Sequence, residues 1–440
     1  MTTLHDRLAE LADDAPPGGP DANLWDRGRH LHRRRQVGTA VIVAVVVLTV
    51  GALGAADWMR SRPAPRPADS APALPDRIWA PSPWLPGTGE AGPLGQLAAV
   101  QFAERGSWTG TDRELVGISA TTGEYRFLDL PDATEDEVAL SPDGGHVAYW
   151  YTGEARESPN SDTGPVVGVA VYDTTSGEVL RHPVPTDHGL AADSLAWADP
   201  DRLVFSHLQY LGGDTDSEMA QHTANDDSGL RIWVPKTGAE DDSLLALGDG
   251  FTVESSTGRG QLLLNGPDGP AFVDLDHPAD AVSFVMPMKL ASGSAAVDDT
   301  GSRVAWPYGT SNPNRIVVGL VRDGERVNFE DVPRSGHTFH VWAWLDEERV
   351  AAVRRVGSDF VDASLFAIDV RTGDSAELVR FPPGTYGSQT QLATDLLDEP
   401  TVSRDAPPRP LDPRVMTGML VAVVAGGLGV LVLWRRRVRP

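Results

Sequence analysis

The side chains that could bind a metal or transfer protons are scattered along this chain. His337 and His340 are three positions apart, which suits one face of a helix, but the residues around them read as the start of a strand. Residues three apart in a strand point to opposite faces, so this pair does not predict a zinc site. Asp274, Asp276 and Asp280 resemble a calcium loop only loosely, because the glycine at the sixth position and the closing glutamate are missing.

Composition excludes other kinds of reactive site. The 440 residues include no cysteine, so disulfides, thiolate metal sites and cysteine nucleophiles are ruled out. A serine hydrolase of the Gly-x-Ser-x-Gly type is also excluded, because no such elbow occurs. The acidic segment 214–227 favours a solvated insertion between strands, with weak binding of a divalent cation as the alternative. We therefore expect no catalytic residue, no cofactor and no metal site, in a protein that is not an enzyme.

Two sets of apolar side chains are candidates for contact with a partner. Leu4, Leu8 and Leu11 share one face of a short predicted helix near the amino terminus. Trp79 and Trp84 stand in a proline-rich approach to the folded region, where we expect them to be exposed. Four other tryptophans stand beside a repeated turn and are expected in the core, namely Trp150, Trp197, Trp306 and Trp344.

Two uncharged apolar runs, Val37–Ala56 and Val415–Trp434, determine the expected location. Each run has 20 residues, and about 30 Å of helix matches the hydrocarbon core of a bilayer. Arginines precede the first run and follow the second, and basic clusters stay on the cytoplasmic side. We therefore predict a two-pass protein of the cell membrane, with both termini inside and the main domain outside. An uncleaved anchor is favoured over a signal peptide, because 36 residues precede the first run.

The two runs and two proline-rich stretches divide the chain. In order, the predicted segments are a cytoplasmic head with its short amphipathic helix (1–36), a transmembrane helix (37–56), a proline-rich tether (57–75), an extracytoplasmic domain (76–397), a second tether (398–414), a second transmembrane helix (415–434) and a basic tail (435–440). The head has six acidic and six basic side chains and the tail has four arginines, so the region between them carries 29 net negative charges against −25 for the whole chain. Such a region repels nucleic acid, and no nucleic-acid partner is expected.

The extracytoplasmic domain has the pattern of an all-β fold. Short runs rich in Val, Leu, Phe, Tyr and Trp alternate with turns that contain Gly, Asp and Pro. Two types of turn alternate along it, and two hairpins per unit of roughly 40–60 residues predict the four-stranded blades of a β-propeller. The second type occurs six times, at residues 121–124, 175–178, 237–238, 276–278, 323–325 and 372–374. This count predicts six blades, or seven if residues 76–102 or 385–397 form another.

The first type of turn carries a family resemblance. Its best copy, Ser141-Pro142-Asp143-Gly144 followed by an apolar strand that ends at Tyr149, resembles the repeat of TolB-like and WD-repeat-like bacterial propellers. The resemblance covers about residues 76–397 and implies the fold, not a ligand. The complete layout, together with two lysines against 35 arginines, is similar to actinobacterial membrane proteins.

Three functions of different classes are compatible with this organisation. The first, which we predict, is a membrane-anchored module that binds or senses a protein, peptide or glycan without catalysis. The second is a transmembrane regulator, because the layout resembles anti-sigma-factor-like proteins whose heads bind a sigma factor; the leucine stripe of the head would dock that regulator. The third is a propeller-based lyase or glycosidase, which would need clustered carboxylates with a His or Tyr in the central channel.

Overall fold

The structure, a computed structural model, describes most of residues 71–438 together with residue 13. The internal segments outside the described residues are 157–163, 212–222, 225–228, 286–294, 309–314, 323, 358–361 and 384–389. The chain divides into two compact units. One is Pro67–Pro410, and the other consists of the two chain ends, Met1–Arg66 and Leu411–Pro440.

The unit Pro67–Pro410 begins with a short helix, α1 (Thr88–Ala91), and continues as six antiparallel sheets, which we call blades 1 to 6. Blade 1 consists of β1 (Leu97–Gly106), β2 (Thr111–Ser119), β3 (Tyr125–Phe127) and the late strand β25 (Thr390–Leu392). Blade 2 consists of β4 (Ala133–Leu140), β5 (His146–Thr152), β6 (Val166–Asp173) and β7 (Val179–Pro183). Blade 3 consists of β8 (Leu190–Trp197), β9 (Leu203–Tyr210), β10 (Thr223–Ala224), β11 (Arg231–Val234) and β12 (Ala239–Asp241).

The remaining blades follow in chain order. Blade 4 consists of β13 (Thr252–Ser256), β14 (Gln261–Gly266), β15 (Gly269–Asp274) and β16 (Val282–Ser283). Blade 5 consists of β17 (Ala296–Val297), β18 (Arg303–Tyr308), β19 (Arg315–Leu320) and β20 (Phe329–Asp331). Blade 6 consists of β21 (Thr338–Trp344), β22 (Arg349–Val356), β23 (Asp362–Asp369) and β24 (Ser375–Arg380). The prediction of a six-bladed propeller is confirmed, and residues 76–102 and 385–397 supply parts of blade 1 instead of a seventh blade.

The turn chemistry that predicted the blades has a common physical basis. From the axis outwards we call the strands of a blade a, b, c and d; the first type of turn joins a to b, and the second joins c to d. In the a–b turn of blade 2, the Asp143 carboxylate accepts hydrogen bonds from the Gly145 N–H (2.9 Å) and the Ser141 hydroxyl (2.6 Å). Gly144 has φ +72°, and a Cβ there would lie 1.9 Å from the Leu97 carbonyl oxygen, so only glycine fits.

Two tryptophans of the repeated turn connect neighbouring blades. The Trp197 indole N–H donates to the Ala139 carbonyl oxygen of blade 2 (3.1 Å), and the Trp344 indole N–H donates to the Ala296 carbonyl oxygen of blade 5 (3.2 Å). Both bonds run from the end of one a strand to the a strand of the preceding blade. Each tryptophan therefore fills the space between two sheets and also bonds a carbonyl group that the sheet leaves unpaired.

The ring closes through both ends of the propeller sequence. Strand β25 pairs with β1 over Ala99–Gln101 and becomes strand a of blade 1. Residues 71–96, which we call the strap, run along the seam between blades 6 and 1: the Ile78 N–H donates to the Arg380 carbonyl (2.8 Å), and Pro75 pairs with Val402. Residues that the sequence analysis assigned to the two tethers therefore meet at one edge of the propeller.

Helix α2 (Pro413–Val438) belongs to the other unit and includes the second apolar run. The first run lies outside the described residues. Among the residues whose side chains are described, no helix is long and apolar enough to cross a bilayer. Both transmembrane helices stay predictions.

The bond made by Trp197 can be measured against a matched tryptophan. Trp306 is also buried, but its indole N–H has no hydrogen-bond acceptor within the described part of the chain. We expect Trp197→Phe to lower the free energy of unfolding by about 1–3 kcal/mol more than Trp306→Phe, because only the first variant leaves the Ala139 carbonyl without its donor. Chemical denaturation of the purified variants followed by circular dichroism measures the difference. Equal losses in the two variants would contradict the assigned role.

Candidate functional site

The a strands line the propeller axis and are edge strands, so part of their backbone has no partner within its own blade. Side chains of the neighbouring blade supply the missing hydrogen bonds. The Gln391 amide of blade 1 accepts from the Leu140 N–H (2.7 Å) and donates to the Val138 carbonyl of blade 2. The Ser194 hydroxyl of blade 3 accepts from the Val253 N–H of blade 4 (3.0 Å). Because buried backbone groups must be bonded, these links hold adjacent blades together at the axis.

Two of the axial links are made by carboxylates. Glu137 of blade 2 accepts a hydrogen bond from the Leu195 N–H of blade 3. Glu254 of blade 4 accepts one from the Ala295 N–H, immediately before strand a of blade 5 (3.3 Å). Asp193 lies close enough to Glu137 to affect its titration, and it accepts a hydrogen bond from the Ser206 hydroxyl (2.8 Å). Three acidic side chains on three successive a strands thus line one side of the channel.

Backbone irregularities place these side chains at the axis. The register of β8 against β9 shifts between Ala192 and Ser194, and Asp193 occupies the shift. The register of β13 against β14 shifts between Val253 and Ser255, and Glu254 occupies that one. A β-bulge redirects its extra side chain out of the normal alternation, which explains how polar residues reach the axis from strands that otherwise face the core.

The channel is constricted at the end that carries the a–b and c–d turns, which we call the turn side. A Cβ on Gly258, in the a–b turn of blade 4, would lie 3.0 Å from Pro142 of blade 2 and 3.3 Å from the Thr394 hydroxyl that follows β25. The Asp395 N–H also donates to the Pro142 carbonyl (3.0 Å). Turns from three blades therefore meet across the axis.

The opposite end, which we call the loop side, carries the b–c and d–a connections. Two of these connections, residues 153–165 and 284–295, are longer than any turn at the other end. The Glu137 and Asp193 side chains are exposed. With the turn side constricted, solvent reaches them from the loop side.

The environment of the channel changes the acidity of its carboxyl groups. Burial by surrounding protein atoms raises the pKa of Glu137 to about 7, opposed by the Leu195 N–H and assisted by the charge of Asp193. The Glu137 side chain is still in contact with solvent, so the protein atoms that surround it form a narrow channel and not a closed core. Burial also raises the pKa of Glu254, and the hydrogen bond from Ala295 opposes the change. At neutral pH the channel therefore holds fewer negative charges than its composition indicates.

The residues predicted to bind a partner have different outcomes. Leu4, Leu8 and Leu11 lie outside the described residues. The expected exposure of Trp79 and Trp84 is wrong: both are half-buried. The Trp79 side chain packs from the strap against the core, and the Trp79 backbone N–H donates to the Tyr125 hydroxyl (3.0 Å), because the strap closes the seam instead of extending into solvent. Their predicted role in binding remains untested.

The core tryptophans follow the prediction more closely. Trp150, Trp197 and Trp306 are buried, and Trp344 is half-buried. Trp108 is 66% exposed at the β1–β2 turn, and it was not among the candidate residues predicted from the sequence. Its position in a polar Ser-Trp-Thr-Gly turn was the available signal.

The histidine pair and the aspartate triplet lie in ordinary elements. His340 is within strand β21, where burial lowers its pKa to about 4, and His337 precedes the strand with φ +68°. Asp274 and Asp276 belong to the c–d turn of blade 4, where the Asp274 carboxylate accepts the Asp276 N–H (3.0 Å). Within the described ranges, no group of three His, Asp or Glu side chains is arranged to hold a metal ion.

Comparisons with known proteins bear on the fold. No family model matches the chain, and no curated protein matches it. Solved structures similar to it include TolB from Acinetobacter baumannii (10% identity, TM-score 0.36, 67% of this chain and 69% of that chain). Others are the uncharacterized protein lmo1340 from Listeria monocytogenes (10%, 0.37, 71% and 88%) and an oligogalacturonate lyase from Vibrio parahaemolyticus (12%, 0.37, 61% and 71%). TolB, the propeller whose repeat the sequence resembles, is thus among the structures similar to this chain, whereas the actinobacterial origin stays a prediction.

The raised pKa of Glu137 has a measurable effect on stability. The folded chain keeps this proton up to about pH 7, whereas an unfolded glutamate releases it near pH 4.5. The contribution to the free energy of unfolding therefore decreases as the pH rises through this window. We expect Glu137→Gln, which keeps the acceptor for Leu195, to raise the melting temperature at pH 8 and to leave it nearly unchanged at pH 4.5.

Glu347→Gln is the matched control, because Glu347 is exposed on an a–b turn. Thermal melts of both variants and the parent at the two pH values give the comparison. If Glu137→Gln raised the melting temperature by the same amount at pH 4.5 and at pH 8, titration of the Glu137 carboxyl could not be the cause.

Proposed function

We propose that this chain is a membrane-anchored, extracytoplasmic propeller that binds or senses a protein, peptide or glycan on its loop side without catalysis. The observation that carries the proposal is the one-ended channel. Turns meet across the axis on the turn side, and the exposed carboxylates are reached from the loop side. Propellers with this asymmetry present a concave surface at one end only, which is where ligand sites concentrate.

The position of the chain ends supports the same assignment. The Ala73 N–H donates to the Ala120 carbonyl (3.2 Å), and the Arg404 guanidinium donates to the Thr121 carbonyl (2.8 Å). Both contacts are made with the c–d turn of blade 1, on the turn side. Residues 73 and 404, which would lead to the two predicted membrane spans, are therefore bonded to the propeller on the turn side, opposite to the loop side.

The channel carboxylates have a role that does not require catalysis. Glu137 and Glu254 each accept a backbone N–H of the next blade, so the structure accounts for them as axial links. A glycosidase would instead need two carboxyl groups directed at one substrate bond. The regulator hypothesis depends on the head (1–36), of which the structure describes only residue 13, and it rests on the predicted leucine stripe and on the layout of the chain.

The predicted topology can be tested with single cysteines, because the chain has none of its own. We expect Thr109→Cys, on the loop side, to react with a membrane-impermeant maleimide in intact cells. Thr3→Cys, in the head, should react only after the cells are permeabilised. Labelling of both positions in intact cells, or of neither, would contradict the proposed arrangement.

The binding side can be tested by site-specific photo-crosslinking in cells. A photo-reactive amino acid at exposed Thr109 on the loop side should give discrete adducts, whereas the same amino acid at exposed Thr237 on the turn side should give few. Immunoblotting of the full-length chain after irradiation measures the yield at each position. Equal yields, or a higher yield at Thr237, would overturn the assignment of the loop side.

A further inference from the structure

The β1–β2 hairpin extends beyond the sheet to which it belongs. Strand β25 pairs with β1 only over Ala99–Gln101, and β3 pairs with β2 only over Val116–Ile118. Apart from the Leu128 N–H, which donates to the Leu115 carbonyl (2.8 Å), residues 102–106 and 111–115 have no strand partner but each other among the described residues. They form a two-stranded extension on the loop side that we call the ribbon (102–115). A two-stranded hairpin in water is marginally stable without additional support.

The ribbon is supported by the guanidinium of Arg105, which bonds the Glu114 carboxylate on the facing strand (2.7 Å). Residues of opposite charge also lie opposite each other in the register, Glu104 across from Arg113 and Arg105 across from Asp112. The Arg105 guanidinium also bonds the carboxylate of Asp129 (2.6 Å) at the end of strand d. This last contact ties the ribbon to the body of blade 1.

The strap supports the other side of the ribbon. The Gly106 N–H donates to the Pro83 carbonyl (2.8 Å), and the Trp84 indole lies so close that a Cβ on Gly106 would be 2.7 Å from the ring. Beyond this contact, the Ser107 N–H donates to the Gly110 carbonyl (3.0 Å) and closes the turn. The tip is therefore held in place by several contacts, none of which involves the side chain that it presents.

That side chain is Trp108, and no side chain of the described residues stacks on its ring. Arginine side chains cover other tryptophan rings of this chain. The guanidinium carbon of Arg303 lies 4.5 Å from the centroid of the Trp344 ring, and that of Arg77 lies 4.8 Å from the centroid of the Trp79 ring. An exposed indole that is rigidly held has little conformational entropy to lose on binding. Its face attracts a cation, and a planar guanidinium also stacks on it.

We infer that Trp108 is the docking point for an arginine side chain in an extended basic segment of the partner. This inference rests on the proposed function. Charge complementarity selects the partner's chemistry: the region between head and tail carries 29 net negative charges, and on the ribbon the carboxylates of Glu104, Asp112 and Glu114 outnumber the guanidinium groups of Arg105 and Arg113. A positively charged segment is drawn to this surface, whereas an anionic lipid or nucleic acid is repelled from it.

The experiment uses fluorescein-labelled octa-arginine and the purified full-length chain in a neutral detergent, with binding followed by fluorescence anisotropy. We expect Trp108→Ala to weaken binding by about 3- to 20-fold, as the loss of one cation–π contact predicts. Trp108→Phe should lose less affinity for octa-arginine than Trp108→Ala, because phenylalanine keeps an aromatic face, although a weaker one. Octa-lysine should bind the parent more weakly than octa-arginine does, because an ammonium group does not stack on an indole ring. For the same reason, Trp108→Ala should reduce the affinity for octa-lysine by a smaller factor.

Leu320→Ala is the matched control, since Leu320 is 56% exposed on strand β19 of blade 5. Thermal melts of all variants confirm that they fold. The inference is overturned if Trp108→Ala and Leu320→Ala bind octa-arginine equally well, or if the parent does not bind it. The proposed function is tested separately by the crosslinking experiment. If adducts still form from Thr109 and not from Thr237, the inference about arginine docking fails while the proposed function stands.

Discussion

The propeller depends on bonding the innermost strand of every blade. An a strand has a neighbour on one side only, and its other edge faces a channel too narrow to hydrate it freely. A buried backbone group without a partner costs about as much as a lost hydrogen bond, and the cost is repeated around the ring. The chain meets this constraint with side chains of adjacent blades: Gln391, Glu137, Ser194 and Glu254 on one arc, and the Trp344 indole on another. Blade number and blade tilt are thus fixed by contacts between sheets as well as within them.

Using carboxylates for this purpose has an electrostatic consequence. An ionised carboxylate is a strong acceptor for a backbone N–H, but its charge is poorly hydrated within the ring and repels its neighbours. Glu137 and Asp193 lie on adjacent blades, and within the described part of the chain neither carboxylate forms an ion pair, unlike Glu114 and Asp129, which both bond Arg105 at the ribbon. The axis of this protein is therefore acidic in composition and sensitive to protonation, whereas at the ribbon Arg105 offsets part of the charge of Glu114 and Asp129.

Much of the fold was readable from the sequence because turns have local requirements. A carboxylate that accepts nearby N–H groups and a glycine with positive φ can be recognised from four or five residues, and their alternation predicted six blades. The exposure of Trp79 was misjudged because its environment is created by Tyr125 and Gln101, far away in the chain. The axial links were missed for a related reason. Asp193 and Glu254 reach the channel through β-bulges, and a bulge leaves no signature in composition. Features that depend on contacts between residues far apart in the chain could therefore not be predicted from the sequence.

The circular closure has a consequence for biosynthesis. Strand β1 is among the first parts of the propeller to leave the ribosome, but its axial neighbour β25 is encoded almost 300 residues later. Until Thr390–Leu392 emerge, the first blade has an open inner edge and the seam under the strap lacks its final strand. Chains whose decisive contacts join distant residues fold slowly and expose strand edges meanwhile. Nascent copies of this protein should therefore depend on folding helpers until synthesis is complete, and deletion of Thr390–Leu392 should be far more damaging than the loss of three residues from an exposed loop.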